Sequence, residues 1–275
     1  LDKDGEQDRC GKARLRSCAG PFASTWLTVC PTTDALAMKD WELQFAVRRR
    51  LGMAVCFDGE DVHGHGILAA HGAEMNARHS TLISAWRQVL TEAGARMPQR
   101  HIERMLRSIH VPVPAEDQRR LDIIAPGLNV EHGLTLFCSV TVVSPISGNG
   151  CARGGTSNRD GVLLERAQRD NDEIYHEVVS SGLGSLQCLS CEVYGRCGSQ
   201  LVKLVPALAR EYARGLHPRV RRGAALAVQH RWWGLLGIAL QRSVAHMVMN
   251  ADAGADLFTA LLEPSPALGD LAVLA

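Results

Sequence analysis

Two carboxylates stand out among apolar neighbours. Asp122 lies in Arg119-Arg120-Leu121-Asp122-Ile123-Ile124, and Glu192 lies in Cys191-Glu192-Val193-Tyr194-Gly195-Arg196. Both segments read as strands, and carboxylates brought together at strand ends can hold Mg²⁺ and activate water for phosphodiester cleavage. Spacing does not bring them together, so a strand-edge acid paired with an arginine is the competing reading for Asp122. A second candidate is the run from Cys56 to His79, where Cys56, His63, His65, His71 and His79 alternate with Gly59, Gly64, Gly66 and Gly72. Cysteine and histidine are the ligands zinc prefers, but a closed structural site takes four of them in regular spacing, and this run contains no Cys-x2-Cys pair. Loop histidines without stably bound zinc are therefore expected.

Other chemistries find less footing. Gly148, Gly150, Gly154 and Gly155 follow Pro145 and lead to no Gly-Lys-Ser/Thr ending, so they are linker glycines rather than a phosphate loop. No Gly-x-Ser-x-Gly elbow signals a serine hydrolase. Trp232 and Trp233 could stack on bases, but an aromatic pair on an apolar helix is expected in the core. Arginines cluster at Arg48 to Arg50, at Arg119 and Arg120, and at Arg219, Arg221 and Arg222. The planar guanidinium suits phosphate, so such clusters can follow a nucleic-acid backbone; solvated helix ends account for them equally well.

The elements that must position these residues follow from periodicity. Up to Thr33 no period is sustained, and a loop with short elements is expected. Asp40 should cap a helix with Leu43, Val47 and Leu51 on its apolar face, ended by Gly52. A helix from Ser80 to Ala93 carries Leu82, Trp86, Val89, Leu90 and Ala93 at helical spacing. Strands are predicted over Leu121 to Ala125, Leu134 to Ser144 and Leu186 to Tyr194; in the second, Ser139 and Thr141 share a face. Helices follow from Asp160 to Val179, with Ile174 among its apolar positions, from Ser199 to Gly215, and from Arg221 to Met249. The order implies a mixed α/β fold, a central mixed sheet flanked by helices.

Composition bounds these readings. The 275 residues suffice for one large domain with a real core, and 46% hydrophobic with 21% charged residues argue against disorder. The 30 Lys and Arg nearly cancel 29 Asp and Glu, so the net charge of +1 identifies no partner. Nine cysteines in no regular framework point to a reducing compartment. The apolar stretch Trp232 to Leu240 is far short of the roughly 20 residues needed to span a bilayer. A start at Leu1 in a polar run is expected of a fragment of a longer product.

Taken in order, several strings resemble the C-terminal region of reverse-transcriptase polyproteins from non-LTR-type retroelements. They are Arg14-Leu15-Arg16-Ser17-Cys18-Ala19-Gly20-Pro21, Val47-Arg48-Arg49-Arg50-Leu51-Gly52, Arg78-His79, Arg119-Arg120-Leu121-Asp122, Val140-Thr141-Val142-Val143-Ser144-Pro145, Glu192-Val193 with Gly195-Arg196, and Arg231-Trp232-Trp233-Gly234. They span nearly the whole chain. In that family the region resembles a Cys/His knuckle followed by a restriction-endonuclease-like domain of the PD-(D/E)xK type. The resemblance places the family's first acid on Asp122 and its late glutamate on Glu192, the pair implied to hold Mg²⁺ or Mn²⁺. It places a second acid on Ser139 and a lysine on Asn171, and neither is present here. Cys56 and His65 match knuckle positions, but a second cysteine is missing and Ala69 stands where the last would fall.

The resemblance thus implies a helical and loop-rich N-terminal extension with a degenerate Cys/His knuckle over 1–78, an endonuclease-like α/β domain over 79–250 and a tail over 251–275. It implies an intracellular protein, nuclear or cytoplasmic, acting on DNA or RNA beside the rest of a polyprotein, with no membrane. Its activity would be target-DNA nicking, weak or lost in this chain; the alternative is a non-catalytic nucleic-acid-binding or structural domain. Arg119, Arg120, Arg221 and Arg222 are the expected nucleic-acid contacts.

Overall fold

The computed structural model describes residues 3–55, 61–69, 73–97 and 102–251. Its centre is a four-stranded mixed sheet in the order β1 (Ile102–Met105), β2 (Arg120–Ala125), β3 (Thr135–Val143), β4 (Gly184–Glu192). The β1/β2 and β2/β3 pairs are antiparallel, and β3/β4 is parallel with Ser139 opposite Cys188 and Val143 opposite Glu192. The parallel pair requires a crossover, supplied by α5 (Val162–Ile174) and α6 (His176–Ser181). The remaining helices are α1 (Lys3–Cys18), α2 (Asp40–Leu51), α3 (His65–Ala69), α4 (Ala73–Glu92), α7 (Ser199–Arg214) and α8 (Arg221–Ala251).

The mixed sheet flanked by helices is as expected, and the three predicted strands form within a residue or two of their expected ends. Alternation explains the layers. Ile123, Leu136, Cys138, Val140, Leu189 and Cys191 join a large core with Leu82, Trp86, Val89 and Leu90 of α4 and the apolar positions of α7 and α8. Ile124, Phe137 and Leu186 point the other way, into a smaller cluster with Val178 of α6. Trp232 and Trp233 are core residues; Trp233 stacks on Phe22, and the Trp232 indole donates to Glu92 at 2.7 Å.

Several expectations need correction. The first stretch holds a 16-residue helix, α1, invisible to periodicity because its buried side chains are mostly small, Ala13, Ser17 and Cys18. On α2 the buried face is Trp41, Phe45, Ala46 and Arg49, not Leu43, Val47 and Leu51; Leu43 and Leu51 are exposed. Tryptophan and phenylalanine remove more apolar area from water than a leucine stripe, and the helix turns accordingly. Asp40 is not the cap: Lys39 precedes the helix, and the buried Glu42 carboxylate accepts its N–H at 2.9 Å. Residues 73–79, expected as loop, are the first turns of α4. Asp160 binds Arg16 and Arg196 instead of capping α5, which ends at Ile174 with that side chain exposed. The division expected at 78/79 falls inside α4, and one core takes residues from both sides of it.

Candidate functional site

The β2/β3 ladder ends at Ile123 opposite Cys138. The next pair in register would be Asp122 and Ser139, but Asp122 breaks the ladder: its Oδ2 accepts the Val140 N–H at 2.6 Å. The same oxygen lies 3.3 Å from His79 Nε2 on α4. Hydrogen bonding to Asp122 raises the His79 pKa above its ordinary value, against the opposing effect of burial. From Ser139 onward β3 is paired with β4 on one side, and beside it lies a groove of about 440 Å³.

Ser139 and Thr141 of β3 line this groove opposite Asn171 of α5. Arg78 of α4, Arg153 of the loop after β3 and Arg166 of α5 line it too, against one carboxylate, Asp170. Arg78 and Asn171 are buried, yet Arg78 Nη1 and Asn171 Nδ2 lack a hydrogen-bond partner among the described residues. Burial lowers the Arg78 pKa, and the Arg49 charge adds to the effect. With two exposed arginines and two buried donors that lack acceptors, the groove is positively charged and short of acceptors.

Of the residues expected in a metal site, Ser139 and Asn171 line one groove and Asp122 lies one register step past the end of the β2/β3 ladder, opposite Ser139; Glu192 stands apart. It pairs with Val143, four positions beyond Ser139, which at the strand rise is roughly 13 Å. It is buried near Ser17 and Arg196, and burial raises its pKa, with those two neighbours lowering it in part. Ligands of one Mg²⁺ must each approach within about 2.1 Å, so Asp122 and Glu192 do not fit a shared ion. The donors beside Asp122 do not replace the lost acid: one Asp122 oxygen is already engaged, and Ser139 offers only a hydroxyl. Among the described residues no group of three His, Cys, Asp or Glu converges as a metal cage would require.

The two knuckle-like positions, Cys56 and His65, divide differently. Cys56 lies outside the described residues, and His65 is buried at the start of α3 with Nδ1 unpartnered. Arg119 is committed to structure, bridging Asp117 and Glu177 at 2.5 Å each. Arg120 is exposed, while its carbonyl accepts the Tyr175 hydroxyl at 2.6 Å. Arg221 and Arg222 open α8 and line a separate depression with Arg210 and Arg214. Sequence reasoning passed over Arg153, alone in a Gly-rich loop, and Arg166, on a helix of mixed charge, because neither carries a local signal. Arg78 was visible in the Arg78-His79 string without a role.

No protein-family model matches this chain, and no curated protein matches it. Among the described residues no helix is long and apolar enough to cross a membrane.

Proposed function

We propose that this chain is the endonuclease-derived C-terminal domain of a retroelement polyprotein, holding DNA or RNA by its backbone and cleaving slowly or not at all. The observation that supports the reading is a groove lined by Ser139 and Asn171, which the resemblance sets at the positions of an acid and a lysine, with its positive charge supplied by Arg78, Arg153 and Arg166. A nuclease of this type needs anionic ligands for its metal and a cation for the developing charge; this groove offers three arginines and the single carboxylate Asp170. Asp122 is kept in place by His79 and by the Val140 N–H, which fixes the acid that the resemblance implies. The reading carries with it an intracellular setting, the remainder of a polyprotein as partner, and no stably bound zinc.

The test pairs a plasmid-nicking assay in Mg²⁺ or Mn²⁺ with duplex binding measured over a range of salt. Native protein should bind with log Kd linear in log salt and nick negligibly. Arg153→Ala with Arg166→Ala should reduce the salt slope by about 0.9 for each phosphate that the variant no longer neutralises. Robust metal-dependent nicking by the native chain, or a slope indifferent to both arginines, overturns the proposal.

A further inference from the structure

A second cavity, of about 860 Å³, lies apart from the groove lined by Ser139 and Asn171. Its walls are α1, the C-terminal end of α2, the start of α3, the loop at residues 146–151, and Tyr194 after β4. Arg14, Arg49, His63 and His65 line it. Arg49 is only 3% exposed and His65 7%. Arg49 Nη1 donates to the Val193 carbonyl at 3.0 Å, and its guanidinium lies 4.0 Å from the centre of the Tyr194 ring. Its Nε and Nη2, together with Arg14 Nε and His65 Nδ1, have no hydrogen-bond partner among the described residues.

The two carboxylates on the cavity wall do not answer these cations. Asp61 accepts the N–H groups of His65 and Gly66 at 2.8 and 2.6 Å. Glu6 pairs with Arg9 and accepts the Ala152 N–H. No ion pair among the described residues includes Arg14 or Arg49. A buried guanidinium without a counter-charge is strongly unfavourable. The field it creates is felt next door: burial together with Arg49 and Arg14 holds the His65 pKa down to about 4, with Asp61 opposing. Local backbone is also adapted to the arrangement. Gly52 ends α2 at φ 76°, and a Cβ there would overlap the Arg14 guanidinium. The cavity is therefore walled by two guanidinium groups with unpartnered nitrogens and a neutral imidazole, with both carboxylates on its wall already occupied.

We propose that this cavity is a phosphate-binding site, in which Arg14 and Arg49 engage the oxygens of a phosphate group and His65 donates or accepts one further hydrogen bond. Guanidinium forks match phosphate geometry, and the volume admits a nucleotide as well as free phosphate. The phosphate could be inorganic, that of a mononucleotide, or the 5′ end of a nucleic acid, and the experiment separates these sources. It is independent of the groove reading, since none of Arg78, Arg153 and Arg166 lines this cavity.

The full chain is titrated with inorganic phosphate, AMP and a 5′-phosphorylated oligonucleotide, with the unphosphorylated oligonucleotide as control, by calorimetry and by thermal denaturation. Expected is saturable binding of phosphate or AMP with a rise in Tm, weakened about 10- to 100-fold by either Arg14→Gln or Arg49→Gln. A preference for the phosphorylated over the unphosphorylated oligonucleotide would identify a strand end as the source. Arg14 is half-buried on a surface helix, so Arg14→Gln keeps the test decisive should Arg49→Gln fail to fold. Absence of any phosphate- or AMP-dependent shift in the folded native chain, or a shift equal in Arg14→Gln, overturns the proposal. Arg153→Ala with Arg166→Ala should leave this phosphate response intact, so failure here and failure of the groove reading are told apart.

Discussion

Restoring the missing acid and lysine tests the groove most sharply. Ser139→Asp places a second carboxylate at the position that would face Asp122 if the β2/β3 ladder ran one pair beyond Ile123 and Cys138, a spacing on the order of 5 Å. Two carboxylates at that spacing can share one Mg²⁺, as Asp122 and Glu192 cannot. Without metal the pair repels: at about 5 Å and an effective dielectric near 20 the Coulomb cost is about 3 kcal/mol. Solvent and the His79 partner reduce this, leaving a loss on the order of 1–2 kcal/mol, or roughly 2–6 °C in Tm for a domain of this size. Mg²⁺ at a hundred times its Kd should return about 2.7 kcal/mol. The expected signature is a Ser139→Asp chain that is less stable than native in EDTA and rescued by Mg²⁺, while the native chain responds little. Adding Asn171→Lys should then produce nicking at least on the order of 10⁴-fold above native, since each electrostatic group of this kind typically supplies about 10²- to 10³-fold in rate. Glu192→Gln in the restored chain should leave nicking unchanged. Identical Tm with and without Mg²⁺ for Ser139→Asp would refute the placement of position 139 beside Asp122, and cleavage that survives Asp122→Ala would refute the site.

Two further outcomes follow from titratable groups. Glu42 is 1% exposed and joins α2 to α8 through His246 Nε2 at 2.8 Å and Arg242 Nε at 3.3 Å. Burial pushes its pKa up, but the Lys39 N–H, His246 and Arg242 outweigh it and the net direction is below the ordinary 4.5. Its contribution is therefore present above about pH 4.5 and lost as pH falls through the depressed folded value. Glu42→Gln should cost about 1–3 kcal/mol at neutral pH, discounted for the partial exposure of both partners, and the gap to native should close in acid by denaturant titration. A gap constant down to strongly acidic pH would refute the charge assignment. His79 should titrate above 6.5 in the native chain and fall toward it in Asp122→Asn, followed by NMR of the imidazole protons. The stability gained from that contact is present below pH 6.5 and lost as pH rises through the folded value, and an unmoved His79 in Asp122→Asn would refute the pairing.

Legibility followed the size of the buried side chains. The β2, β3 and β4 strands were readable because long aliphatic runs stop at Pro126 and Pro145, and α4 because Leu82, Trp86, Val89 and Leu90 recur at helical spacing. The α1 helix was not, since its outer face is charged and it is tied down by polar contacts such as Arg16 to the Ser157 carbonyl and to Asp160. The short edge strand β1, Ile-Glu-Arg-Met, carries no alternation that four residues could reveal. On α2 two stripes competed, and choosing the leucines over Trp41 and Phe45 also hid Arg49. Positions 41, 45 and 49 are each four apart, so the face chosen by the aromatics carries the arginine inside with it.

The site shows the same limit in another form. Alternation put Ser139 and Thr141 on one face, and both indeed line the groove. Residue type marked Asp122 and Glu192 as equivalent acids, but only register decides whether two strand acids meet, and the parallel β3/β4 register sets Glu192 four positions away. Register depends on which apolar rows pack together across the sheet, information spread over α4, α7 and α8 rather than held in the motif. Arg49 and Arg78 carry the point further. Each sits in an arginine-rich or mixed polar string that reads as surface, and each is buried because its helix turns a tryptophan-bearing face inward. A charge interred by its neighbours' packing is constrained by the fold alone, so what it binds must be sought in the cavity it faces rather than in the string that contains it.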